Sequence, residues 1–137
     1  MLPQLVWRIW KKLRNAGRAL APESPEEDFH RVRILAKRAR YSAETVAVYM
    51  PSKQKRQLED FAERAEAVQN ILGEHHDAAF ARDVVRGIAA EHPDDPRISS
   101  RVGTLVEREK AIAEERRNQF FDKWRKQDRK KHTKWGK

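Results

Sequence analysis

His30, Arg33, Lys37, Arg40 and Tyr41 recur at spacings that collect cations and hydrogen-bond donors on one face of a helix. At roughly 100° per residue they fall, together with Glu44, within an arc of roughly 100°. Phe29, Val32, Ala36, Ala39, Ala43, Val46 and Ala47 fill the neighbouring arc. Such a helix packs on its apolar seam and offers guanidinium and ammonium groups beside it. Arg33, Lys37 and Arg40 follow at i, i+4 and i+7, roughly 5 Å apart along the axis. A chain of phosphates presents negative charge at a comparable repeat. Arginine holds phosphate oxygens through paired N–H groups, and lysine acts as a point charge. Tyr41 and a protonated His30 would add donors. The competing reading is a solvated face with local pairs, such as Arg40 with Glu44.

The rest of the chain suits an anionic partner. Its 137 residues carry a net charge of +9 and a pI near 10.1. A balance this basic points to nucleic acid, an anionic membrane surface or an inorganic phosphate polymer. The charge is uneven: +6 over residues 1–41, −5 over 42–115 and +8 over 116–137. With no cysteine, disulfides, thiolate zinc sites and cysteine nucleophiles are excluded. No apolar run reaches the length of a membrane span, and the apolar start before Arg8 is too short for a signal-peptide core. The expectation is a soluble, cytoplasmic protein without a membrane partner.

The elements that must position the stripe read as four helices. The first opens at Pro3 and runs to about Leu20, with Leu5, Ile9, Leu13, Ala16 and Leu20 as its apolar line and Val6 and Trp10 beside it. Ser24 and Pro25 predict a capped second helix to about Tyr49. Pro51 stops it, and Ser52 is the expected cap of a third helix, Lys53 to Glu91. A break at 92–96 leads to a fourth from about Arg97. Short proline-marked turns between long helices predict an all-α, antiparallel four-helix bundle. Residues 1–124 form the expected domain. Residues 125–137 read as a basic, frayed tail.

Two motifs carry a family resemblance. His30-x-x-Arg33-x-x-x-Lys37-Arg38-x-Arg40-Tyr41 and Gln69-x-x-Leu72-Gly73-x-x-x-Asp77 resemble the CHAD family, the conserved histidine α-helical domain. The resemblance implies a helical domain of two similar four-helix halves around a basic channel. It further implies binding of long inorganic polyphosphate without catalysis, and polyphosphate granules as a location. It covers roughly residues 5–120 and is similar to the C-terminal half alone. Either the chain is a truncated homologue, or a homodimer completes the two-part arrangement. Trp7, Trp10, Leu13 and the apolar line of the fourth helix are the expected seam.

The expected polyphosphate contacts are His30, Arg33, Lys37, Arg38, Arg40 and Tyr41, joined by Arg8, Lys11, Lys12 and Arg18 from the first helix as a second groove wall. Gln69, Gly73 and Asp77 are expected to support them. Glycine costs about 1 kcal/mol against alanine in mid-helix, so Gly73 suggests close helix approach. Asp77 is expected to pair with Arg33 or Lys37.

His30, His75, His76 and Asp77 invite a metal reading, but adjacent histidines point about 100° apart on a helix. No resident metal or cofactor is expected, apart from divalent cations carried in with the phosphate chain. Phe120, Phe121, Trp124 and Trp135 lie among ten cations in the last stretch. That pattern keeps RNA or DNA binding as the alternative function, through phosphate contacts and base stacking. No Gly-rich phosphate loop, nucleophilic triad or carboxylate cluster suggests an enzyme.

Overall fold

The computed structural model describes residues 2–129 and 132–136. Met1, Lys130, Lys131 and Lys137, the last three within the expected tail, lie outside them. The chain is all-α, a bundle of four helices: α1 (Leu2–Ala19), α2 (Glu26–Ala47), α3 (Ser52–Glu91) and α4 (Pro96–Gln127). A short 3-10 turn follows at Lys134–Gly136. Contacts between α2 and α3 pair rising with falling numbers: His30 with His76, Arg33 with Gly73, and Arg40 with Glu66. The two helices are therefore antiparallel. No helix among the described residues is long and apolar enough to cross a membrane.

The breaks fall where the prolines predict, but two caps differ. Ser24 does not cap α2. Its Oγ accepts from the Ala21 N–H and closes the preceding turn. Ser52 is already inside α3, and Pro51 precedes it without a side-chain cap. In both places proline sets the chain direction at the helix start. Only Asp95, ahead of α4, accepts from the first-turn N–H groups, those of Arg97 and Ile98.

The core is aromatic at one end. Trp10, Phe29, Phe61, Phe120, Trp124 and Trp135 are buried with Val6, Leu13, Leu58, Leu72 and the alanine seam of α2. The fully buried line of α1 is Val6, Trp10, Leu13 and Gly17, with Ile9, Ala16 and Leu20 of the predicted line partly buried against the core. It is turned by roughly 70° from the predicted one. Trp10 decides the turn, since an indole buries more area than the leucine and isoleucine it displaces. Leu5 stays half exposed. Gly17 is required here, because a Cβ would overlap the Trp124 indole.

Two expectations change as a result. Trp10 and Leu13 lie inside the monomer, and Trp7 packs edge-on against Trp135 at 5.9 Å. They are not a free seam for a second copy. The tail does not simply fray either. Helix α4 continues to Gln127, and Trp135 returns to the core, 4.9 Å from the Phe61 ring. Its indole buries more apolar area than the surrounding lysines could hold in water.

At the opposite end α3 and α4 project past the α1–α2 pair. Phe80, Val84, Ile88 and Leu105 lie exposed along this projection.

Candidate anion-binding face

The stripe on α2 lies against α3. Arg33 sits over Gly73, where a Cβ would come no closer than 3.7 Å to its Nε. Arg40 donates to Gln69 Oε1 at 3.4 Å and to Glu44 at 3.0 Å, with Glu66 at 3.6 Å. The hydrogen bond to Glu44 is the main reason its pKa is raised. The Arg40–Glu44 pair of the competing reading is thus present, and Arg40 is the most neutralised member. Tyr41 lies beyond, 48% exposed, with the Arg40 guanidinium 5.2 Å and the Lys37 ammonium 6.0 Å from its ring centre. Arg33 and Lys37 make no ion pair among the described residues. They face solvent as cations backed by a glycine and a tyrosine.

Other predicted residues fall elsewhere. Arg38 lies on α2 roughly 100° round from Lys37, across the helix from the α3 contacts. Arg8, Lys11 and Lys12 are exposed on α1. They lie roughly 130–170° round from its buried line. The wall beside the stripe is α3, not α1. Arg18 is occupied: its Nε and Nη2 hold both oxygens of Asp128 at 2.7 and 2.8 Å. Asp77 pairs with neither Arg33 nor Lys37. It is 83% exposed, and its nearest ionic neighbour is His76 at 3.8 Å. The gap at Gly73 is ordinary van der Waals distance, so close approach does not demand glycine there. Gln69 meets the stripe through its hydrogen bond from Arg40.

The histidines diverge by one helical step. His76 turns outward to His30, ring centres 5.2 Å apart. His75 turns inward and is 3% exposed. Its Nε2 accepts from Arg117 Nε at 2.9 Å, which requires the neutral ring with its proton on Nδ1. Burial first, and the Arg117 charge second, lower its pKa from 6.5 to about 4. Arg117 also donates to the Pro22 carbonyl at 2.6 Å and lies 4.3 Å over the Phe29 ring. One arginine thus joins α4 to α3, α2 and the first turn. Nearby, Arg82 holds Glu26 at 2.7 Å. Glu26, His30, His75 and His76 contribute to a small cavity of about 100 Å³. Among the described residues no three metal-ligating side chains come together.

Sequence reasoning missed Arg117 and Arg82, because their partners lie far away in the chain. It read the aromatics near the end of the chain as possible base-stacking groups. Phe120, Trp124 and Trp135 are buried, so their faces are closed.

A family model described as CHAD domain matches residues 1–86. That span holds the stripe, its α3 backing and the paired histidines. No curated protein and no solved structure matches the chain.

Proposed function

Because the chain belongs to the CHAD family, we propose that it binds inorganic polyphosphate along the α2–α3 face, without catalysing a reaction on it. The observation that carries this reading is the state of Arg33 and Lys37. Both are cations on one helical face, one turn apart, with no carboxylate partner among the described residues. Arg40 extends the line, with Gln69 fixing one of its N–H groups. A phosphate chain running along α2 would meet Arg33, Lys37 and Arg40 in turn, with His30 and Tyr41 flanking them. Its oxygens would compete with Glu44 for Arg40, one charge-assisted bond replacing another.

The nucleic-acid alternative draws less support. Stacking on bases needs open aromatic faces, and among the described residues of this face Tyr41 and the small imidazoles of His30 and His76 are the rings on offer. Replacing Arg33, Lys37 and Arg40 together by alanine should lower affinity for long-chain polyphosphate at least tenfold. It should also flatten the salt dependence, since fewer counterions are released. Helicity should persist, because alanine is the best helix former. In competition at equal phosphate concentration, polyphosphate should displace RNA. Displacement in the opposite direction would make nucleic acid the partner.

A further inference from the structure

A second cationic surface lies across α3 from the stripe. Arg64 is roughly 180° round that helix from Gly73. With Glu63, Lys123, Lys126, Arg129 and His132 it lines a cavity of about 320 Å³, where α3 meets the end of α4 and the returning tail. Glu63 is the single carboxylate in this lining. Lys123, Lys126 and Arg129 make no ion pair among the described residues. Lys123 and Lys126 are three residues apart and share a helix face.

Arg64 supplies the second observation. Its Nη2 donates to the His132 carbonyl at 3.3 Å, but its Nε is buried with no acceptor among the described residues. A buried guanidinium N–H without an acceptor is unfavourable, and a water or an anionic oxygen entering the cavity would satisfy it, the anion more strongly. Burial lowers the Arg64 pKa, against the opposing pull of the Asp60 and Glu63 carboxylates. The lining cations outnumber Glu63 by enough to favour a multiply charged anion over a single carboxylate. The cavity is too small for a folded polymer and large enough for a few linked phosphates. Lys123, Lys126, Arg129 and His132 all fall outside residues 1–86, the span shared with the family.

We propose that this pocket binds a compact polyvalent phosphate, either free tripolyphosphate or the triphosphate tail of a nucleotide. It is separate from the stripe, and a polyanion on one face leaves the other open. The protein would then hold a long chain on one side of α3 and a short phosphate on the other.

The test begins with the Arg33→Ala/Lys37→Ala/Arg40→Ala variant, which removes the stripe. Calorimetric titration with tripolyphosphate should still give one site per chain. Adding Lys126→Ala and Arg129→Ala should weaken that site at least tenfold. An equal charge loss at exposed Lys53 and Arg56 should change it less than twofold. Tighter binding of tripolyphosphate than of ATP assigns the free phosphate, and the reverse assigns the nucleotide tail. Three results would each overturn the proposal: no binding of either ligand to the stripe variant, binding that survives Lys126→Ala/Arg129→Ala, or an equal loss in the Lys53/Arg56 control. A stripe that proves irrelevant to long polyphosphate would leave this outcome unaffected, so the two readings fail separately.

Discussion

Arg117 and Arg33 both reach α3 from a neighbouring helix, yet they are used in opposite ways. Arg117 spends its donors on His75 and the Pro22 carbonyl, and its flat face lies on Phe29. Arg33 lies over Gly73 and makes no ion pair among the described residues. Neither pairs with a carboxylate, so charge alone does not separate a structural arginine from a binding one. The separation lies in whether the protein itself supplies acceptors for the N–H groups. Where it does, the arginine fastens helices together. Where it does not, the donors remain open for a ligand.

The largest effect expected from this contrast is on folding. Arg117→Ala should lower stability by on the order of 2–3 kcal/mol, since it strands a buried His75 acceptor and removes a cation–π contact. The Arg33→Ala/Lys37→Ala pair should stay within about 0.5 kcal/mol of the parent, as for surface positions generally. Urea denaturation of the two variants checks both numbers. Equal losses would break the division between fastening and binding arginines.

A smaller effect, on the order of 2 kcal/mol once the full shift of about 3.4 kcal/mol is discounted for solvent screening, should follow pH through His75. The neutral ring accepts from Arg117, and its pKa is lowered to about 4 against 6.5 in the unfolded chain. Between those values the unfolded chain holds a proton that the folded one does not. This contribution is therefore full above pH 6.5 and is lost as pH falls towards 4. His75→Gln keeps an acceptor and cannot titrate, so the difference between the two stability curves should isolate the loss. A difference that stays flat across this window would remove His75 from the fastening set.

How much of this was legible in the sequence depended on the range of the interaction. The helices and their breaks were, because proline acts locally at Pro25, Pro51 and Pro96. The stripe was too, because i, i+4 and i+7 spacing survives whatever packs against it. Gln69 beside Arg40 followed from the family motif. On α1 the apolar arc was legible, but its centre of burial was not: Trp10 and the Gly17–Trp124 contact shift it towards Val6 and Trp10 and leave Leu5 out. Arg18 with Asp128 and Arg117 with His75 join residues too distant for any local pattern. The return of Trp135 was hidden for the same reason: surrounding lysines made its neighbourhood read as solvent-exposed.

The smallest prediction sharpens the comparison at Gly73, the glycine of the second motif. Gly17 lies in the last turn of α1 and Gly73 in the middle of α3, and both meet a side chain from another helix. A Cβ at Gly17 would overlap the Trp124 ring, which the core holds in place. A Cβ at Gly73 would meet the Arg33 guanidinium at 3.7–4.0 Å, an ordinary contact with the end of a flexible side chain. Gly17→Ala should therefore destabilise the fold. Gly73→Ala should raise stability by about 0.5–1 kcal/mol through helix propensity and a less disordered unfolded chain. If Gly73 matters, it matters to the ligand: the added methyl narrows the floor beneath Arg33, where a phosphate would approach. A variant that is more stable yet binds polyphosphate less tightly would assign this glycine to the binding face. A loss of stability at Gly73 would instead mean that α2 and α3 need the glycine to pack, as α1 and α4 do at Gly17.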